Sequence, residues 1–189
     1  MLIKLGRGFG CGKQLVSEMD GGDAPASYSS FEINMGTSTG NWQALSEMLL
    51  YDAEGNEFAS GLTAVGETVL TMEGLSPGEY TSNSTYGAGT TDAALTDGVP
   101  DPAVSGAGSG TAQWSDTGAT PLIIFIKPSA PITLGKVELC ASIAYGWRPS
   151  HIIFEGNGGV LIPVAAPADE SDHFQTTSTG SIRWYRWTF

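Results

Sequence analysis

The chain has 189 residues, of which 15% are charged, and its formal net charge is −12. This length suits one domain, or one domain with an arm, and is enough to bury a core without metal or disulfide staples. A strongly acidic surface disfavours binding to nucleic acid or anionic lipid, because both need basic residues that neutralise phosphates. The 26 glycines are about twice the average share and favour a loop-rich β protein over a helical one.

Residues 1–27 differ in composition from the rest and are predicted to form an N-terminal docking arm. Glycines recur in GRGFGCGK, and Lys4, Arg7 and Lys13 make the arm less acidic than the body. The glycines do not fit a Walker A motif, because Arg7 stands where the first glycine belongs and Gln14 follows Lys13. The N-terminus also lacks the apolar core of a secretory signal peptide, so we expect synthesis in the cytoplasm without export.

Short strands separated by turn signals are predicted from residue 28 onward. In YSSFEINM the apolar Phe31, Ile33 and Met35 alternate with polar residues, which places them on one face of a strand. ALSEMLLYD is predicted to be a second strand, closed by the turn AEGN, and GETVLTME a third. A short helix is predicted near TDAALTDG, within a Gly- and Ser-rich loop insertion at about residues 74–114.

Further strands are predicted at PLIIFIK, ITLGKVELC, SHIIFEG, GVLIPV and SIRWYRWTF. Alternation in the last strand places Tyr185, Trp187 and Phe189 on one face and Trp184 on the other. Cys140 ends an apolar run and is predicted to be a buried thiol, because two cysteines make no disulfide framework. Strands of this length and spacing predict an all-β, antiparallel β-sandwich of the jelly-roll kind.

Residues of the types used in catalysis are scarce, and we predict that the protein is not an enzyme. His151 is predicted in a strand and His173 in a polar loop, and no Ser stands in a G-x-S-x-G elbow. Aspartates of the long loop, Asp97 and Asp101 among them, are the hard oxygen ligands that Ca²⁺ takes. A calcium site and solvated turn carboxylates both remain open interpretations.

Aromatic residues give the richest functional signal. Tyr145 and Trp147 flank a glycine and precede Arg148 and a proline, which indicates a loop. An aromatic ring beside a guanidinium suits sugar recognition, because the ring covers the apolar C–H face while arginine bonds the hydroxyls. Tyr86, in the long loop, is a further candidate for this glycan site. The alternative is that these loop rings pack onto the end of the body.

Six motifs follow one another in a set order: ALSEMLLYDAEGN, LTDG, QWSD, PLIIFIKPSAPITLGKVEL, RPSHIIFEGNGG and the terminal IRWYRWTF. This order resembles the discoidin-like domains of the galactose-binding β-sandwich superfamily over roughly residues 28 to 189. The resemblance implies end loops that bind glycans, lipids or proteins, usually without catalysis. It also implies that the structural cation site of some members maps onto the Asp-Gly loop, here Asp97 and Asp101.

An adhesion-type domain without a signal peptide leads to the prediction of a bacteriophage virion protein. We predict a non-enzymatic component of a tail fibre, tail adaptor or capsid decoration, with no nucleic-acid partner and no membrane insertion. Its arm would contact other virion proteins, its loops would contact host-surface glycans, and the protein would be a homo-oligomer. No cofactor other than Ca²⁺ is implied. The alternative is a carbohydrate-binding module of a secreted bacterial enzyme or adhesin.

Overall fold

The computed structural model describes residues 26–36, 42–66, 69–83, 92–100, 112–115, 121–142, 152–163, 175–177 and 180–189. These residues form twelve β-strands and three short 3₁₀ turns, and no α-helix occurs among them. In this part of the chain, no helix has the length and apolar composition needed to cross a membrane. The prediction of an all-β protein is therefore confirmed.

Most of the strands are short, as expected for a chain rich in Gly, Ser and Thr, whereas two of them have nine residues each. The strands are β1 Phe31–Asn34, β2 Trp42–Leu45, β3 Glu47–Asp52, β4 Thr63–Ala64, β5 Glu79–Ser82, β6 Ala112–Ser115, β7 Ile123–Lys127, β8 Leu134–Ser142, β9 Ile153–Gly156, β10 Val160–Leu161, β11 Gln175–Thr177 and β12 Gly180–Thr188. The 3₁₀ turns are Ala59–Gly61, Met72–Gly74 and Asp92–Leu95. The short helix predicted near TDAALTDG is thus a single 3₁₀ turn.

Two larger sheets and one two-stranded ribbon arrange these strands. The six-stranded sheet has the order β10-β9-β1-β7-β5-β4, and the four-stranded sheet has the order β11-β12-β8-β3. Neighbouring strands are antiparallel except β4 and β5, which pair in parallel. The ribbon joins β2 to β6. A strand order that differs from the chain order means that connections cross between the sheets, so each layer depends on distant segments.

One hydrophobic core is shared by the two larger sheets. Alternate residues of each strand supply it, as the period of two requires. Phe31 and Ile33 enter it from β1, and Met48 and Leu50 enter it from β3. Phe31, Ile33 and Met35 are all buried, which confirms the face predicted for them. The shared core makes the two sheets one packing unit.

The C-terminal strand joins the two layers through aromatic rings. Tyr185 and Trp187 are buried, and Phe189 is partly buried against the core, whereas Trp184 is only half-buried. The Phe154 ring of β9 lies 5.6 Å from the Trp187 ring and 4.8 Å from the Phe189 ring, both edge to face. Edge-to-face rings at these distances add to the area that they bury. The predicted burial of one face of this strand is confirmed.

Two sequence interpretations differ from the structure. The described residues of 66–73 include no strand, and Met72–Gly74 form a 3₁₀ turn, so the strand predicted there is wrong. Val69 lies beside β5, since the Thr81 Oγ1 hydroxyl donates a hydrogen bond of 2.5 Å to the Val69 carbonyl. The region 74–114, treated as a loop, contains β5, which carries the fully buried Tyr80. Because Tyr80 is the one large apolar side chain of β5, the sequence of this strand shows no alternation of apolar and polar residues.

Gly135 permits a close backbone approach between β3 and β8. An added Cβ there would overlap the Asp52 carbonyl and the Cα of Ala53, where the register of the two strands shifts. We expect Gly135→Ala to lower the free energy of unfolding by about 1–3 kcal/mol, because backbone has to move to admit the methyl group. Urea denaturation measures the change.

Gly61→Ala is the matched control for this prediction. Gly61 ends the first 3₁₀ turn, and an added Cβ would meet no atom within 4 Å. Its unfolding midpoint should match that of the wild type within about 0.5 kcal/mol. Equal stability of Gly135→Ala and Gly61→Ala would contradict the close approach.

Candidate functional site

The residues predicted to bind glycans are not among those that the structure describes. Tyr86, Tyr145, Trp147 and Arg148 all lie outside the described ranges, and so does Asp101. Their roles therefore stay predictions. Of the predicted ligand residues, Asp97 can be placed in the fold, and it is exposed.

The Asp-Gly loop follows the 3₁₀ turn Asp92–Leu95 at one end of the core. The Asp97 Oδ1 atom accepts a hydrogen bond of 2.8 Å from the Val99 backbone N–H, and Gly98 adopts a φ of +76°. A carboxylate that caps the backbone two residues ahead stabilises a tight turn. The Asp97 side chain therefore has a structural role in the loop.

Tyr80 ties this loop to the six-stranded sheet. Its hydroxyl donates a hydrogen bond of 2.6 Å to the Asp92 carbonyl, and the Ser82 backbone N–H donates one of 3.1 Å to Asp92 Oδ2. Burial raises the pKa of the Tyr80 phenol well above its ordinary value. The phenol therefore stays protonated at neutral pH and acts as a fixed donor.

Glu47 is a buried carboxyl at the same end of the molecule. It lies opposite Cys140 in the register of β3 and β8 and is 2% exposed. Among the described residues, none forms a hydrogen bond with its Oε2 atom. Burial first, and then the Asp97 carboxylate, raise the pKa of Glu47 to about 7, although hydrogen bonds from the Met48 and Gly98 backbone amides act in the opposite direction. The Glu47 carboxyl is therefore about half protonated near neutral pH.

The grouping of acidic side chains bears on the calcium prediction. Within the described ranges, no three His, Cys, Asp or Glu side chains are placed so that they could hold a metal ion. Asp97 and Glu47 are two such oxygen donors near one another, and Asp101 is not described. Calcium binding at Asp97 and Asp101 therefore stays a prediction.

Cys140 is the buried thiol that its apolar context predicts. It is fully buried and forms no disulfide. Burial raises the pKa of the thiol to about 12, and Glu47 contributes in the same direction, whereas the Ser46 hydroxyl opposes the shift. A thiol with this pKa is protonated at neutral pH and is therefore a poor nucleophile and metal ligand.

One carboxylate is paired with two basic side chains on the outer face of the four-stranded sheet. Glu138 Oε1 lies 2.6 Å from Arg186 Nε and 3.4 Å from Lys136 Nζ. Burial would raise the pKa of Glu138, but Arg186 and Lys136 outweigh it and hold the pKa below its ordinary value. Lys136 Nζ also lies 3.7 Å from the centroid of the Tyr51 ring. The Glu138 carboxylate is therefore compensated within the chain, and this charge cluster keeps one positive charge in excess.

A cavity of about 590 Å³ opens beside this cluster. Tyr51, Asp52, Lys136 and Phe189 contribute to its wall, and Ala26 lies at its rim. This volume is in the range of small-ligand sites, and an aromatic ring beside an ammonium group suits a polar ligand with an apolar face. The cavity therefore brings aromatic and charged side chains together around one concave surface.

Comparisons of the chain with known proteins yield no match. No family model, no curated protein and no solved structure matches it. The resemblance to discoidin-like domains therefore rests on the motifs quoted above, and it stays a prediction.

Sequence patterns did not single out Glu47 or the cavity. A signal for Glu47 exists, because Ser46 and Glu47 interrupt the otherwise apolar run ALSEMLL, and a carboxyl in a buried strand is rare. No such signal marks the cavity. Its walls come from segments far apart in the chain, and only their packing brings Tyr51 and Phe189 together.

The raised pKa of Glu47 predicts that stability depends on pH. Between pH 4.5 and about 7, folded Glu47 holds a proton that the unfolded chain releases, so stability falls as the pH rises through this window. Glu47 contributes at most about 3 kcal/mol to this fall in the free energy of unfolding. We expect Glu47→Gln to be more stable than the wild type at pH 8 and similar at pH 4, as measured by urea denaturation.

Glu54→Gln serves as the control for this titration. Glu54 is exposed in the turn that follows β3, so Glu54→Gln removes the same charge without changing a buried side chain. If Glu47→Gln shows the same pH profile as the wild type, Glu47 does not titrate in the folded protein as described.

Proposed function

We propose that this protein is a non-enzymatic structural component of a bacteriophage virion, in a tail fibre, a tail adaptor or a capsid decoration. Its body is a galactose-binding-like β-sandwich of the jelly-roll kind. The observation that carries the proposal is the core shared by the two sheets, which the C-terminal aromatic strand closes through Phe154, Trp187 and Phe189. Such a core holds the connecting loops in fixed positions, as a binding scaffold requires.

The chemistry of the described titratable groups supports a role in binding and assembly. The Cys140 thiol and the Tyr80 phenol are protonated at neutral pH, and Glu138 is paired with Arg186. Each of these groups packs or orders the fold. We therefore assign the function to surfaces and loops, and we assign no catalytic step.

The charge and the thiol content fit a protein that assembles in the cytoplasm. A net charge of −12 keeps copies soluble at high concentration before assembly. The buried, unpaired Cys140 suits a reducing compartment, where structural disulfides are rare. Particle assembly before lysis provides such conditions.

Glycan contact is assigned to the loop that carries Tyr145, Trp147 and Arg148, together with Tyr86. The assignment rests on the chemistry of these residues, because a ring stacks on the apolar face of a pyranose and Arg bonds its hydroxyls. The body of the protein would present this loop to a host surface.

Substitution of Trp147 tests the glycan assignment. We expect Trp147→Ala to weaken binding on a glycan array at least about tenfold, because the stacking surface is lost. Val160→Ala, an exposed substitution on β10, is the control and should bind as the wild type does. Equal glycan binding by the wild type and Trp147→Ala would remove Trp147 from the site.

Mass spectrometry of purified particles tests the virion assignment. We expect the chain in purified virions at a fixed copy number relative to the major capsid protein, because a structural component occupies symmetric positions. Detection only in a secreted fraction, covalently joined to a glycoside hydrolase, would instead support the carbohydrate-binding module and end the virion proposal.

A further inference from the structure

The outer face of the six-stranded sheet carries an acidic and apolar patch. Residues opposite one another in antiparallel strands point to the same face. The register therefore aligns Leu161, Glu155, Glu32 and Phe125 in one row across β10, β9, β1 and β7. A second row, two residues along β9, β1 and β7, consists of Ile153, Asn34 and Ile123. We call the following side chains the outer patch: Glu32, Ile123, Phe125, Ile153, Glu155 and Leu161.

This face is covered on one side and open on the other. Over β5, the Val69 carbonyl accepts the Thr81 hydroxyl, and the Leu75 carbonyl accepts a hydrogen bond of 2.8 Å from Lys127 Nζ. Over β9 and β10 the apolar side chains face solvent, since Ile153 is 45% exposed and Leu161 is 63% exposed. Clustered exposed aliphatic residues on a sheet mark an interaction surface.

The two carboxylates at the centre of the patch oppose one another. Glu32 and Glu155 are directly opposite in β1 and β9, and like charges in this position destabilise a sheet. Partial burial raises the pKa of Glu32, and Glu155 and Glu73 raise it further. No ion pair within the described ranges reaches either Glu32 or Glu155. The patch therefore favours a partner that brings positive charge.

The basic residues of the described body are engaged elsewhere. Lys127 bonds the Leu75 carbonyl, and Lys136 and Arg186 pair with Glu138. Arg183, on β12 of the other sheet, also interacts with another group of the protein. The remaining four basic residues lie outside the described ranges, and they are Arg148 together with Lys4, Arg7 and Lys13 of the N-terminal arm.

The N-terminal arm carries the positive charge that would complement the acidic patch. Its first 13 residues, MLIKLGRGFGCGK, combine Lys4, Arg7 and Lys13 with aliphatic and aromatic residues and contain no Asp or Glu. All 20 acidic residues of the chain come after them. A basic and apolar segment therefore matches an acidic and apolar face in both charge and hydrophobicity.

The arm joins the body close to the patch. Residues 27–30 run beside the turn between β9 and β10, where Asn157 Oδ1 accepts a hydrogen bond of 2.9 Å from the Ser29 backbone N–H. The Tyr28 ring packs against Gly156 at the end of β9. Residues 14–25 supply a tether of up to about 40 Å when extended, so two copies side by side can exchange arms reciprocally.

We propose that residues 1–13 of one copy bind the outer patch of a second copy, which makes the protein an arm-exchanged homo-oligomer. The proposal rests on the function proposed above, since it specifies how the docking arm acts. Lys4 and Arg7 of one copy neutralise Glu32 and Glu155 of the next, and the apolar residues of the arm cover Ile153 and Leu161. An acidic protein thereby self-associates through its least acidic segment.

Charge reversal on each side tests the contact in the full chain. The face variant is Glu32→Lys with Glu155→Lys, and the arm variant is Lys4→Glu with Arg7→Glu. Light scattering after size-exclusion chromatography at low salt should show oligomers for the wild type. Each variant should associate at least about tenfold more weakly, because like charges then meet in the contact.

The combined variant decides whether the two sides meet. It carries all four reversals, so opposite charges again face one another, and association should return to within about threefold of the wild type. Glu54→Lys is the control, because Glu54 is exposed in the turn after β3. It should associate as the wild type does. High salt should weaken association of the wild type and the combined variant alike.

Thermal stability separates loss of contact from misfolding. The single substitution Glu155→Lys replaces a repelling cross-strand pair by an attracting one. At protein concentrations where both are monomeric, its melting temperature should be equal to or above that of the wild type, although it associates more weakly. A simple folding defect would lower both quantities.

Three results would overturn the proposal: a wild-type monomer at every concentration, association unchanged in the face and arm variants, or no recovery in the combined variant. The first of these results would also arise if the arm covered the patch of its own chain. Cross-linking of Lys4 to Glu155 within single chains would detect that arrangement. These outcomes leave the virion assignment intact, since mass spectrometry of particles tests that assignment separately.

Discussion

The contact between β9 and the C-terminal strand is the interaction on which the rest of the structure depends. The Phe154 ring lies against Trp187 and Phe189, and it joins the six-stranded sheet to the four-stranded sheet. Each sheet has one apolar face, and neither buries that face alone. The shared core therefore determines where each turn emerges, and it places the Asp97 loop and the turn at Asn157 on the surface.

The outer faces of the two sheets handle charge in opposite ways. On the four-stranded sheet, Glu138 is paired with Lys136 and Arg186, so its negative charge is compensated within the chain. On the six-stranded sheet, Glu32 faces Glu155 with no cation from the described body. The outer face of the four-stranded sheet therefore needs no partner to compensate its carboxylate. The other retains unfavourable repulsion that a basic partner relieves.

Local sequence patterns predicted the strands that alternate clearly. Phe31 and Ile33 are buried on one face as their spacing predicts, and so are Tyr185 and Trp187. The strand β5 was missed because a short polar segment with a single buried tyrosine resembles a loop. Residues 66–73 have a strand-like pattern, but the described ones form no strand, and the Val69 carbonyl accepts a hydrogen bond from the Thr81 side chain.

The sequence by itself determined the all-β class, the buried Cys140 and the basic, acid-free composition of the first 13 residues. These features depend on composition and on spacing along a few residues. Only the tertiary structure decided that Glu47 is buried and that Glu32 opposes Glu155. Cross-strand register and sheet packing bring distant segments together, and no local pattern encodes that register.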